Sequence, residues 1–201
     1  DRVFKIREIQ FNGNQLSKHL YRNPDGLLEI QLPEVVKGDF KLLISYIGHP
    51  KVAENAPWDS GFVWAKTRNK QHWIATAVQD EGGDLFWPCL DHPKGEPGSV
   101  DIHITVPAPL VAVANGTFMG RAKNGNDWTY HWQTKYRTNT YGIALNIAPY
   151  RLMQQSYASI YGNKIDIRFY YLPQSEKKIS ALFSEIPAML DFFERTIGPY
   201  P

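Results

Sequence analysis

The sequence predicts an all-β fold: antiparallel sheets stacked as a sandwich or saddle, followed by one carboxy-terminal helix. Three observations carry the prediction. Apolar residues alternate with polar ones through most of the chain, the period of half-buried strands. Small and φ-permissive residues punctuate the alternation at short intervals. Only the last thirty residues switch to a three-to-four-residue period, about one amphipathic helix's worth.

The strands follow in order. Leu27–Leu32 is the first, and Phe40, Leu42, Ile44 and Tyr46 share the apolar face of the next. Trp73–Val78 follows. In Val100–Val106 every even position is apolar. Leu110–Ala114 precedes Asn115-Gly116, a strong two-residue hairpin cue, so this strand is expected to pair with the one that follows. Trp128, Tyr130 and Trp132 put three aromatics on one side; Tyr141–Ile147, Leu152–Tyr157 and Ile165–Tyr171 complete the set. Asp25-Gly26, Gly38, Gly82-Gly83, Asn124-Gly125-Asn126 and Gly162-Asn163 supply turns. In the helical segment, Ile179, Leu182, Phe183, Ile186, Met189, Leu190 and Phe193 recur at helical spacing. Ser175 is placed to cap it and Gly198-Pro199 to stop it, while Pro187 should kink or split it.

Composition narrows the function. The 201 residues are 43% hydrophobic and 21% charged, with a net charge of +2. That balance argues against a surface that tracks phosphates, and hence against nucleic acid as a partner. No apolar run reaches the ~18–20 residues that cross a bilayer. One cysteine, Cys89, excludes an internal disulfide and reads as a small buried hydrophobe rather than a nucleophile. No two of the six histidines stand at i, i+4, so no helix offers paired imidazoles to zinc, and His103 and His131 fall on polar strand faces. Asp80, Glu81, Asp84, Asp91 and Glu96 read as an acidic loop before they read as a glycosidase pair. The six tryptophans either fill the core or make a sugar-stacking platform. The chain begins without methionine and stops directly behind the helical pattern, so it reads as a piece of a longer protein.

Thr76-Ala77-Val78-Gln79-Asp80-Glu81, followed by Phe86-Trp87-Pro88-Cys89-Leu90-Asp91-His92-Pro93, resembles a known pattern. It is similar to the Thr-Gln-x-Glu strand and Pro-Cys-x-Asp-x-Pro turn of zinc aminopeptidases related to aminopeptidase N and leukotriene hydrolase. Ser60–Val63, Val100–Pro107, Leu110–Gly116, Trp132–Ala148 and Ile165–Pro201 resemble further segments in the same order, from about Leu27 onward. The resemblance implies a non-catalytic β domain over residues 1–172, its first strands missing. Residues 173–201 would begin a catalytic domain. It also implies that zinc belongs to that following domain, because neither the His-Glu-x-x-His helix nor the Gly-x-Met-Glu-Asn loop occurs here. No catalytic residue and no metal ligand is therefore expected in this chain. One role carries over: the second polar residue of the Thr-Gln-x-Glu strand reaches the substrate's amino-terminal residue, and that position is Gln79. A strand-end glutamine bonded to loop backbone is the competing reading. The family's first Gln is Ala77 here, and its arginine pair is Asp84-Leu85. The implied partners are peptide substrate and the protein's own catalytic domain. A carbohydrate-binding sandwich and a partner-docking scaffold are the alternatives.

Overall fold

Alternation becomes strands where one face has something to bury against. The computed structural model describes residues 2–33, 35–78, 82–90, 92 and 94–200. Among them the strands are β1 Lys5–Phe11, β2 Asn14–Gln15, β3 Tyr21–Arg22, β4 Glu29–Ile30, β5 Leu42–Ile47, β6 Gly61–Lys66 and β7 His72–Ala77. They continue with β8 Val100–Pro107, β9 Val111–Ala114, β10 Thr117–Asn124, β11 Asp127–Thr134, β12 Leu145–Ala148, β13 Arg151–Ala158 and β14 Lys164–Tyr171; one α-helix, α1 Glu176–Thr196, follows. The sheets run β2-β1-β5, β10-β11-β8, β6-β7-β12-β9, β13-β14 and β3-β4. The all-β expectation with a single terminal helix therefore holds. No helix among the described residues is long and apolar enough to cross a membrane.

The chain divides into two units. The first comprises Asp1–Val63, Thr76–Pro97 and Thr138–Ala144. Its core is Ile9, Phe11 and Leu16, flanked by Ile6, Leu28, Leu42 and Ile44. Strand β1 escapes the period-two reading because its register against β5 shifts between Ile6 and Glu8. The bulge absorbs Arg7, so Ile6, three residues from Ile9, still lies on the inner face opposite Tyr46.

The second unit comprises Trp64–Ala75, Gly98–Arg137 and Leu145–Pro201. Trp128, Tyr130 and Trp132 stand opposite Val106, Ile104 and Ile102 in antiparallel register, as the alternation requires. The indole of Trp132, 3% exposed, donates to Ala112 O at 3.1 Å, and Tyr130 Oη donates to Leu110 O at 3.2 Å.

These bonds explain a correction. Strand β9 does not pair with the strand after Asn115-Gly116; it pairs with β12, Ala114 opposite Leu145. Gly116 sits at φ +88°, where a Cβ would also overlap the Gln133 carbonyl. The Asn-Gly turn thus passes the chain from one sheet to another, leaving Ala112 facing Trp132. The tight hairpin is the next one, closed by Asn124 opposite Asp127 with Gly125 at φ +59°. Two other expected strands shrink: Leu27–Leu32 keeps only Glu29–Ile30, and Tyr141–Ile147 begins as a 3-10 turn at Thr140–Gly142.

Helix α1 runs unbroken through Pro187. Proline removes the amide that would bond Phe183 O, four residues back. Gln155 Nε2 of β13 supplies the missing donor at 2.8 Å. Ser175 occupies the cap position but makes no side-chain cap bond. A second polar anchor is Glu194, 2% exposed. Ser159 Oγ donates to its Oε1 at 2.6 Å; Tyr157 Oη at 2.8 Å and Ile160 N at 3.0 Å donate to its Oε2. Burial disfavours its charge, but these donors outweigh burial and hold the carboxyl below its ordinary value. Burial, and then Glu194, push Tyr157 up to about 12.

Candidate functional site

The segment singled out by sequence lies in the first unit, at the end of β7. Val78 is buried, and its carbonyl accepts the Gly82 amide at 3.0 Å. Gly82 at φ +95° turns the chain into a 3-10 turn over Gly83–Leu85, capped by the Phe86 amide on Gly83 O. Gly83 has no room for a side chain: a Cβ would lie 2.5 Å from both Thr140 O and Trp87 Nε1. This turn therefore seats against the Thr140–Gly142 turn. Tyr46 Oη donates to Phe86 O at 2.7 Å, and the Phe86 ring meets Phe62 edge-on at 5.9 Å. Burial, then the neighbouring Cys89 thiol, raises the Tyr46 hydroxyl's pKa. Cys89 is half-buried with its thiol free of any disulfide, in keeping with a packing role. Beyond it, His92 N donates to Leu90 O at 2.9 Å and Gly95 N to His92 O at 2.7 Å.

Gln79, Asp80, Glu81, Asp91 and Pro93 lie outside the described residues. Of the remaining acidic candidates, Asp84 is half-buried and Glu96 exposed. The tryptophans divide: Trp132 is core, Trp128 lies beneath the Arg121 guanidinium at 4.4 Å, and Trp73 Nε1 donates to Tyr150 Oη at 3.2 Å. Trp58 is the most open, at 89% exposure. His103 and His131 take the polar faces of β8 and β11, as expected, and there they meet Asp101.

The sequence matches the family described as the Peptidase M1 N-terminal domain over residues 2–141. The chain belongs to that family. The match begins well before Leu27, where the resemblance was first legible, and takes in β1. M1 relatives also share its fold. A two-domain M1 zinc metallopeptidase mutant bound to L-arginine superposes with a TM-score of 0.77 at 20% identity, over 98% of this chain and 44% of its own. A mutant M1 zinc metallopeptidase from Deinococcus radiodurans, bound to a Tyr-Ser-Ala substrate, gives the same four figures. Aminopeptidase A of Legionella pneumophila, in complex with aspartic acid, superposes at 0.74 with 17% identity, over 99% of this chain and 22% of its own. This M1 chain thus spans less than half the length of these enzymes. No curated protein matches it significantly in sequence.

The zinc named for two of these relatives finds no helical histidine pair in this sequence. The sequence contains no His-Glu-x-x-His pair, and the one triad of potential ligands among the described residues lies on adjacent strands rather than on a helix.

Proposed function

We propose that this M1 domain is the non-catalytic amino-terminal part of a zinc-dependent aminopeptidase, where it caps the active site and helps bind the peptide's amino-terminal residue. The observation that carries the reading is the family match over residues 2–141, in a chain that covers 44% of a two-domain M1 enzyme. Residues 1–172 form the β domain and residues 173–201 open the catalytic one. That following domain supplies the zinc and the glutamate that activates water.

Gln79 is the contact. Its amide both donates and accepts, so it suits a substrate ammonium beside a carbonyl. Val78 and Gly82, joined by a 3.0 Å bond, bracket it in sequence. Helix α1 gives independent support for a following domain. Ile179, Phe183, Ile186, Leu190 and Glu194 form its docked side, while Leu182, Met189, Phe192 and Phe193 are each close to half exposed or more. An apolar stripe of that size beside a docked face fits a further packing partner better than a finished lid.

The test is steady-state kinetics of the full-length protein on aminoacyl substrates. Gln79→Ala should raise KM and lower kcat/KM about tenfold, the loss expected for one hydrogen bond to a charged group. Unchanged kinetics would remove Gln79 from the site. A full-length sequence without a zinc-ligating helix would remove the peptidase reading itself.

A further inference from the structure

The outer face of the β8–β11 pair carries three polar rungs in register: Thr105 opposite Thr129, His103 opposite His131, and Asp101 opposite Gln133. The threonine hydroxyls bond each other at 2.8 Å. The two imidazoles stack, their centroids 4.1 Å apart and their planes within 15°. Asp101 Oδ1 accepts from Gln133 Nε2 at 2.9 Å and lies 2.7 Å from His131 Nε2. One donor atom from each of Asp101, His103 and His131 falls within 4.8 Å of the other two.

We propose that Asp101, His103 and His131 bind a divalent cation of the zinc class, with water in the remaining position. Two imidazoles and a carboxylate are borderline-soft donors, suited to zinc and its transition-metal neighbours; magnesium and calcium take oxygen ligands instead. A tetrahedral site with metal–nitrogen bonds of ~2.0–2.1 Å holds its donor atoms about 3.4 Å apart. Closing from within 4.8 Å to that spacing takes side-chain rotations of the order of an ångström, and Asp101 and His103 are both exposed. The backbone needs no change, because the shared rung already sets both rings side by side. The ion replaces the contact between Asp101 and His131, while Gln133 goes on donating to the carboxylate.

Access is built in as well. On the other side of β11, Gly120 stands opposite His131, at a shift in register after Phe118. Nothing lies within 4 Å of where a Gly120 Cβ would be. A hydrated ion can therefore approach the rings across this gap. Once bound it would tie β8 to β11, the central strand of its sheet.

The test is calorimetric titration of the 201-residue chain with zinc chloride, with magnesium chloride as the hard-ion control. One zinc per chain is expected, and no magnesium heat. The His103→Ala/His131→Ala double variant should weaken zinc binding at least a hundredfold and Asp101→Asn at least tenfold. His92→Ala, an exposed histidine elsewhere, should bind as the parent does. Melting gives a second readout that does not depend on heat of binding. Zinc at a hundredfold over its dissociation constant favours the folded state about a hundredfold, so the melting temperature should rise in the parent chain and not in the double variant. Absence of zinc binding in the parent chain, or binding that survives the double variant, overturns the proposal. Neither result bears on the peptidase reading, which rests on Gln79 kinetics and the downstream sequence.

Discussion

Trp132 is buried in the second unit's core, and Trp132→Phe measures what it contributes there. The indole is 3% exposed, donates to Ala112 O at 3.1 Å, and meets the rings of Phe118 at 5.1 Å and Tyr170 at 5.9 Å. Phenylalanine keeps an aromatic ring there but loses the donor. A buried hydrogen bond lost with its acceptor left behind costs about 1–3 kcal/mol. The smaller ring buries some tens of Å² less apolar surface, worth about 1 kcal/mol at ~25 cal/mol/Å². The sum is about 2–4 kcal/mol. In a chain of this length each kcal/mol moves the midpoint by about 2–4 °C, so the centre of that range predicts a fall of about 6–12 °C. Circular dichroism melts read it directly. Trp58→Phe is the comparison: at 89% exposure it should stay within about 0.5 kcal/mol of the parent. Equal shifts for the two variants, or a Trp132→Phe shift below about 2 °C, would refute the assignment of Trp132 to the core. They would also revive the sugar-platform alternative for the tryptophans.

Four further outcomes are expected. Gln155→Ala should destabilise the chain by about 1–2 kcal/mol, because Phe183 O then has no donor; adding Pro187→Ala restores the helical amide, so the double variant should lose less than the single, and a double-mutant cycle of thermal melts checks this. Glu194 is held below its ordinary 4.5, so its ionised form contributes stability above that pH, and this is lost as pH falls through the lower folded value; Glu194→Gln should flatten the acid limb of an unfolding series, and parallel limbs would contradict the anchor. Tyr157 acts in the opposite sense: raised from 10.0 to about 12, it contributes stability below pH 10 that disappears as pH climbs toward 12, and Tyr157→Phe should remove that alkaline loss. Gly83→Ala should lower stability by about 1–3 kcal/mol through overpacking against Thr140 and Trp87, and amide chemical shifts of the Thr140–Gly142 turn should move with it.

Period-two strands with one uniformly buried face were legible from sequence: β8, β11 and β14 lie within a residue or two of where alternation puts them. Strand β1 was not, because a bulge at Arg7 converts the two-residue period into a three-residue step between Ile6 and Ile9. Asn115-Gly116 misled for a different reason. The dipeptide supplies a turn, but whether the turn closes a hairpin or changes sheets depends on Leu145–Ala148, thirty residues away in sequence. Pro187 breaks a helix by local rules; the donor that lets the helix continue comes from Gln155, on another strand. The candidate site was legible only through its resemblance to a family. Searching the histidines at helical spacing could not have joined His103 to His131, since their proximity exists only in the β8–β11 register.

The two polar anchors of α1 explain why its second apolar stripe matters. Phe183 and Glu194 are eleven residues apart, close to three full helical turns, so both point to the same side. An apolar seam by itself tolerates sliding or rolling, because any methyl group fills a gap much as another does. A buried carboxylate that must meet Tyr157, Ser159 and the Ile160 amide together tolerates neither, and the Phe183 carbonyl adds a second fixed point. Burying that charge contributes little to stability over a well-packed apolar residue; what it adds is a single register. With the register fixed, Leu182, Met189 and Phe193 are held at one angle to the β13–β14 hairpin. A domain that follows would then dock on a surface whose orientation is set before it arrives.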